Sequence, residues 1–154
     1  MKFTILELNQ ELFKPFGKIL EPIKNQIPEV SEKGIFDFFV VFKEFCEGWQ
    51  VGFLKYKGKI LKYLECHPTT PEVFINLKGK TILLLAINPI DDIVAFNLNK
   101  PIVINPGVWH GLISLSKESE IFIVENENVT DEFYTFKENY IEVKGQLLKM
   151  KSTV

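Results

Sequence analysis

The stretch Tyr63–Gly79, Y-L-E-C-H-P-T-T-P-E-V-F-I-N-L-K-G, decides the fold prediction because its polar residues are regularly spaced. Glu65 and His67 are two positions apart, so the alternation of side chains along a strand puts them on one face. Cys66, between them, points to the other face. The turn that follows contains two prolines and starts a second strand, and Glu72 near its beginning can meet the first pair. The stretch therefore predicts a polar site where two strands come together.

Composition limits the kinds of protein this chain can be. Its 154 residues are 46% hydrophobic and 25% charged, which predicts one compact domain over residues 1–154. A net charge of −2 and a pI near 5.8 argue against a nucleic-acid partner, which would need a basic face. All eighteen basic residues are lysines. Because the chain has no guanidinium group, a bound carboxylate must be held by lysine, backbone N–H groups or a metal.

The cysteines and apolar runs bear on location. Cys46 and Cys66 form no C-x-x-C pair and no disulfide framework, which favours a reducing compartment. The first ten residues lack the apolar run and small-residue cleavage site of a signal peptide. The longest apolar run, Ile82–Ile87, is too short to cross a membrane. These features predict a cytoplasmic protein with no membrane partner.

Strand signals dominate the middle of the chain. Short apolar runs, separated by Gly, Pro and Asn turns about every ten residues, are typical of a β-sandwich or barrel. Ile93–Leu98 and Pro101–Ile104 are two such runs. Other runs are expected to pair as hairpins: Gly48–Tyr56 with Lys59–Cys66, Glu72–Leu77 with Thr81–Ile87, and Gly107–Leu115 with Glu120–Glu125.

The N-terminal part combines strand and helix signals. Phe3–Leu8 predicts a strand, and Asn9 can cap a short helix whose Leu12 and Phe13 face inward. Glu21–Gly34 has two prolines and no periodicity, which predicts an extended connection before a further β-rich run.

The C-terminal part is harder to assign. Thr130 followed by two acidic residues is typical of a helix start, which predicts a short helical turn there. A strand is expected to follow over Tyr140–Leu148.

The two histidines of the chain fall on a recognisable pattern. His67, Glu72 and Gly79 form H-x4-E-x6-G, while Gly107 and His110 lie in N-P-G-V-W-H-G-L-I-S. These segments resemble the two motifs of the cupin superfamily, G-x5-H-x-H-x3-4-E-x6-G and G-x5-P-x-G-x2-H-x3-N. The resemblance implies an all-β fold, a cupin-type double-stranded β-helix or jelly roll, with a short N-terminal helix.

A narrower resemblance covers roughly residues 5–125. L-N-Q-E-L-F-K-P-F-G-K-I-L-E, the L-E-C-H-P segment with its phenylalanine-containing strand, and P-G-V-W-H are similar to segments of the ureidoglycolate lyase family. Cys66 stands where that family has arginine, and Gly111 where it has a second histidine. The resemblance implies a homodimer that cleaves ureidoglycolate to glyoxylate and urea in purine (allantoin) breakdown.

Such a lyase needs a base, an acid and a group that holds the substrate carboxylate. His67 and His110 are the candidate base and acid near neutral pH, and Glu72 is a third candidate catalytic residue if burial raises its pKa. A divalent metal is the alternative holding group, bound by His67, Glu72 and His110 with Glu65 as a further donor. Glu65, Lys78 and Trp109 are the candidate substrate-binding residues.

Alternatives remain open at the level of sequence. Trp109 fits a core aromatic equally well, lysines beside tight turns are usually solvated, and a glutamate at a strand end is normally a surface charge. A non-catalytic cupin that binds a small carboxylate or sugar would carry the same motifs, as would a cupin enzyme of another type, such as an isomerase.

Overall fold

The regular secondary structure of the chain is almost entirely strand in a computed structural model that describes residues 2–154. It has one short helix, α1 (Gln10–Phe13). The strands are β1 (Lys2–Glu7), β2 (Gly17–Ile19), β3 (Val30–Glu32), β4 (Phe36–Phe38), β5 (Trp49–Tyr56), β6 (Ile60–Leu61), β7 (Tyr63–Cys66), β8 (Glu72–Lys78), β9 (Thr81–Ala86), β10 (Val94–Asn97), β11 (Ile102–Ile104), β12 (Trp109–Ser114), β13 (Ser119–Asn126), β14 (Glu132–Thr135), β15 (Asn139–Lys144) and β16 (Leu147–Ser152). Within this part of the chain, no helix has the length and apolar character needed to span a membrane.

Two curled sheets face each other across the main core. Their strand orders are β14-β7-β12-β9-β10-β1-β16-β15-β6 and β2-β11-β8-β13-β5. Consecutive strands pass from one sheet to the other, as β8, β9 and then β12, β13 do. This is the cupin-type jelly roll that the sequence predicts, with α1 near its N-terminus.

The three predicted hairpins are wrong for the same reason. In the first, β5 pairs with β13 and not with β6 or β7. In the second, β8 pairs with β11 and β13, whereas β9 pairs with β10 and β12. In the third, β12 and β13 lie in different sheets. Each short turn that reads as a hairpin loop is a crossing between sheets. At the β8–β9 crossing, Gly79 has a φ of +81°, a conformation that glycine adopts without strain.

The run of six buried residues in β9 shows how the core is built. Leu83 and Leu85 face the core between the two sheets, whereas Ile82 and Leu84 face a second core on the other side. Because both faces of this strand are covered, its sequence is continuously apolar rather than alternating.

The C-terminal strands form the cover of that second core. β14 pairs with β7, and β15 and β16 extend the sheet beyond β1. The short helical turn predicted after Thr130 is therefore wrong, and the predicted strand at Tyr140–Leu148 is two strands joined by a turn. Ile141 and Leu148 of this turn-linked pair are fully buried in the second core.

The N-terminal helix is confirmed with one correction. The Asn9 side chain accepts hydrogen bonds from the backbone N–H groups of Glu11 and Leu12, which is the predicted cap. Phe13 is fully buried, but Leu12 is half exposed, so only one of the two expected side chains faces the core. The connection predicted over Glu21–Gly34 ends in β3, which pairs with β4.

Candidate functional site

The two sheets contribute opposite halves of one polar cluster. Glu65 on β7 lies directly opposite His110 on β12, and His67 follows the end of β7. On the facing sheet, Glu72 at the start of β8 lies directly opposite Glu125 on β13. The cluster thus lies at one end of the jelly roll, where the sheets come together.

The predicted catalytic residues converge on one oxygen atom. Oε2 of Glu72 lies 3.0 Å from Nε2 of His67 and 3.0 Å from Nε2 of His110. Glu65 and Glu125 are farther away, with carboxylate oxygens 3.9 and 4.0 Å from Nε2 of His67. His67, Glu72 and His110 are each only 4 to 6% exposed, so these groups meet inside the protein.

The three convergent atoms are close without forming directed hydrogen bonds. Nε2 of His67, Oε2 of Glu72 and Nε2 of His110 are buried, yet their contacts lack the alignment that a hydrogen bond requires. Two donors at right angles around an ion, each about 2.1 Å from it, lie about 3.0 Å apart. Two sets of donor atoms in the cluster lie close enough together to hold one ion: Glu65, His67 and His110, and His67, Glu72 and Glu125.

The opposite nitrogen of each ring lies within 3.1 Å of an oxygen atom. Nδ1 of His110 lies 3.1 Å from the carbonyl oxygen of Val108, to which it donates a hydrogen bond when protonated. Nδ1 of His67 lies 3.0 Å from Oδ1 of Asp131. For His110, the Val108 carbonyl on the Nδ1 side favours the neutral tautomer with its proton on Nδ1, which turns an unprotonated Nε2 toward Glu72, as a metal ligand must.

Electrostatics at the site are dominated by carboxylates. Burial raises the pKa of Glu72, but His110 and His67 outweigh this effect and lower the pKa to about 2. The contact with Glu72 raises the pKa of His67 to about 9, although burial opposes the shift. Burial also raises the pKa of Glu65 above its ordinary value. The two imidazoles are surrounded by four carboxylates, those of Glu65, Glu72, Glu125 and Asp131. The negative charge of these groups attracts a cation.

A cavity of about 510 Å³ opens beside the cluster. Glu65, Glu72 and His110 form its polar end, and Lys62 is the one lysine that borders it in residues 2–154. The remaining wall is mostly apolar: Leu54, Ile60, Leu61, Phe74, Leu112 and Ile123. A cavity with a few polar groups at one end and apolar walls is typical of a small-molecule site.

Two of the predicted substrate-binding residues lie elsewhere. Lys78 is at the opposite end of β8 from Glu72, about 20 Å along the strand, where it is exposed and contacts Glu120. Trp109 points to the second core and packs edge-on against Tyr134, so it is a core aromatic. Glu65 borders the cavity as expected.

The two positions that differ from the lyase family have structural roles. Cys66 is buried and burial raises the pKa of its thiol, in keeping with its predicted position on the strand face opposite Glu65 and His67. Gly111 lies against Leu61 and Leu64, whose side-chain atoms would be 2.8 to 3.2 Å from an added Cβ. A histidine has no room at this position unless these leucines move.

Sequence reasoning missed two carboxylates of the cluster. The sequence pattern predicts a helix start at Asp131, which in the structure precedes β14, and it predicts only a strand at Glu125. A signal for Glu125 existed, because strand alternation places it on the same face as the buried Ile121 and the partly buried Ile123. No comparable signal marks Asp131, since its position depends on how β14 returns to pair with β7.

No protein-family model matches this chain, and no curated protein sequence matches it. Among solved structures, it is similar to vicilin from tomato (Solanum lycopersicum), with 13% identity, a TM-score of 0.45 and coverage of 57% of this chain and 25% of that chain. For an S161A mutant of Bacillus subtilis oxalate decarboxylase, the identity is 13%, the TM-score 0.45 and the coverage 59% and 24%. For a 3,4-ketoisomerase from Helicobacter canadensis, these values are 17%, 0.41, 60% and 66%. The chain spans about a quarter of the length of the vicilin and the decarboxylase. Because these similarities are distant, the function is inferred from the geometry of the site alone.

Proposed function

We propose that this chain binds a divalent metal ion through His67, Glu72 and His110 and uses the adjoining cavity to bind a small carboxylate. The observation that carries the proposal is the convergence of two Nε2 atoms on one Oε2 at 3.0 Å without directed hydrogen bonds. Imidazole nitrogen and carboxylate oxygen suit Zn²⁺, Mn²⁺, Fe²⁺ or Ni²⁺. When bound, such an ion supplies a positive charge that polarises the oxygen atoms of a hydroxy acid.

The reaction we propose is a carbon–nitrogen lyase reaction on ureidoglycolate, in line with the sequence resemblance. The hydroxyl group of the substrate loses its proton, its electron pair forms the C=O bond of glyoxylate, and the C–N bond breaks. The urea nitrogen takes up a proton, so the reaction consumes no water and is balanced by moving one proton.

Glu65 is the residue we assign to that proton. It borders the cavity, one of its carboxylate oxygens lies 3.9 Å from Nε2 of His67, and burial raises its pKa above the ordinary value. A carboxyl group with a raised pKa can accept the hydroxyl proton and return it to the leaving nitrogen. We assign the holding of the substrate carboxylate to Lys62, which borders the same cavity.

The test combines metal analysis with turnover. Purified protein is expected to contain a divalent metal, and the metal-loaded protein is expected to release urea and glyoxylate from ureidoglycolate. His110→Ala should lose both the metal and turnover, whereas Lys78→Ala, at the far end of β8, should lose neither. Metal binding with no urea release would overturn the lyase and leave the metal site standing. Absence of metal binding in the unaltered protein would overturn both.

A second candidate function is a metal-binding cupin that holds a different ligand without lyase activity. The observation that favours it is the wall of six apolar side chains, which offers more apolar contact than the small, polar ureidoglycolate can use. Titration with small carboxylates and sugars that differ in apolar bulk separates the two functions, because this candidate predicts tighter binding as apolar bulk increases.

A further inference from the structure

The strands β3 and β4 form a projecting hairpin, here called the arm (residues 26–40). All six residues of its two strands are exposed. Its base is fixed by hydrogen bonds, since the Val40 N–H donates to Glu29 and the Gln26 side chain donates to the Val40 carbonyl. Gly34, with a φ of +77°, turns the chain at the tip. An isolated two-stranded hairpin is marginal in water, so this arm lacks the packing that normally supports one.

The arm has an apolar face and a polar face. The register pairs Val30 with Phe38 and Glu32 with Phe36 on one side, and Ser31 with Asp37 on the other. Phe36, Phe38 and Val30 remain 44, 55 and 56% exposed. An amphipathic hairpin that leaves its apolar face in water indicates that this face has a partner outside its own chain.

The outer face of the five-stranded sheet carries a second exposed apolar surface, here called the outer face. Residues 42–46 of the same chain lie beside Trp49, Val73 and Val124 on this surface, and other apolar side chains of its edge strand remain in water. On β5, the edge strand of that sheet, Trp49, Val51 and Phe53 point outward and are more than half exposed. Phe122 on the neighbouring β13 packs edge-on against Phe53 and extends the patch. The other sheet differs, because β14, β15 and β16 of the same chain cover its outer side. Long, exposed edge strands with apolar side chains are surfaces that proteins normally cover.

We infer that the arm of one copy packs its apolar face on the outer face of a second copy, in a two-fold symmetric dimer. One chain carries both surfaces, so two copies related by a two-fold axis can each bury the other's arm. The proposal does not depend on the lyase activity.

Area and charge both favour a second copy. An aromatic side chain offers about 150–250 Å², so the exposed parts of Phe36, Phe38, Trp49, Phe53 and Phe122 present roughly 500 Å² per copy. A stable complex takes about 800 Å² from each partner, and the aliphatic residues of the arm and outer face add to the aromatic area. Glu32 at the edge of the arm's apolar face is opposite in charge to Lys55, which shares the outward row of β5.

Two variants test the arrangement. Unaltered protein is expected to sediment at twice the 17.8 kDa chain mass at micromolar concentration. Phe36→Ser with Phe38→Ser on the arm, and separately Phe53→Lys on the outer face, are expected to give monomers. Ile90→Ser is the matched control, since Ile90 is equally exposed but lies in the turn between β9 and β10, and it is expected to remain dimeric. Circular dichroism checks that each variant keeps its strand content.

Cross-linking identifies which surfaces meet. In a Cys46→Ser background, Phe38→Cys protein is mixed with tagged Phe53→Cys protein and treated with a short bismaleimide. A product containing one chain of each kind supports the arm on the outer face of a second copy. A monomeric unaltered protein, a dimer that survives both sets of substitutions, or cross-links only between two Phe38→Cys chains would overturn the proposal.

Discussion

The Oε2 atom of Glu72 lies at the centre of the polar cluster. Two imidazole nitrogens approach it at 3.0 Å, and the residue is 6% exposed. In the metal-free protein, this carboxylate is stabilised by a proton on His67, whose pKa it raises to about 9. A metal ion and that proton therefore compete for the same nitrogen.

This competition predicts a pH dependence of metal affinity. Because the pKa of metal-free His67 is raised to about 9, the ring is protonated at pH 7 and must release a proton from Nε2 when the ion binds. Affinity is expected to rise about tenfold per pH unit between pH 7 and 9, and then to level off. Glu72, with a pKa of about 2, stays ionised over this range and contributes no proton.

Calorimetry in buffers of different ionisation enthalpy measures that proton directly. The expected result at pH 7 is about one proton released per ion bound, falling toward zero above pH 9. A Glu120→Gln variant serves as the control, because this glutamate contacts Lys78 away from the site. Metal binding that is independent of pH and of the buffer would contradict the protonated His67.

At the scale of elements, the crossings between sheets determine how far the sequence could predict the fold. The strands themselves follow from apolar runs and turn residues, and so does the Asn9 cap. Their pairing does not, because the short turn at Gly79 fits a hairpin as well as a crossing between sheets. The alternation of inward-facing side chains is the same in both arrangements. The positions of His67, Glu72 and His110 could be predicted because motif spacing does not depend on pairing. Asp131 could not, because its place depends on the return of a strand from the far end of the chain.

The backbone conformation of Gly79, at the crossing between β8 and β9, predicts that a substitution there lowers the free energy of unfolding. A residue with a side chain at a φ of +81° is strained by about 1–3 kcal/mol, and its Cβ would lie 2.7 Å from the backbone oxygen of Glu118. Gly79→Ala is therefore expected to lower the free energy of unfolding by more than about 2 kcal/mol. Gly145→Ala is the matched control, since Gly145 has a φ of +64° and no atom within 4 Å of an added Cβ.

Urea denaturation of both variants separates strain from contact. The control is expected to show the conformational cost alone, and the difference between the two variants isolates the close approach of the β8–β9 crossing to residue 118. If Gly79→Ala and Gly145→Ala lower the free energy of unfolding equally, the backbone at the crossing relaxes away from the added methyl group.

At the scale of the whole molecule, the proposed metal site joins the two sheets. Glu72 belongs to the five-stranded sheet, whereas His110 belongs to the nine-stranded sheet and His67 follows its strand β7. An ion bound by all three links both halves of the jelly roll and is absent from the unfolded chain. Binding energy at this position is therefore also folding energy.

Thermal unfolding with and without metal tests this link. An ion present at about 100 times its dissociation constant stabilises the folded state by about 2.7 kcal/mol. For a domain of this size, each kcal/mol raises Tm by about 2–4 °C, so the expected increase is roughly 5–10 °C. Excess EDTA should reverse the increase in the unaltered protein, and Glu72→Gln should show no increase at any metal concentration that saturates the unaltered chain. If Mn²⁺, Zn²⁺, Fe²⁺ and Ni²⁺ all leave Tm unchanged, then the four carboxylates and two histidines hold no metal, and the cluster is a buried proton-sharing network.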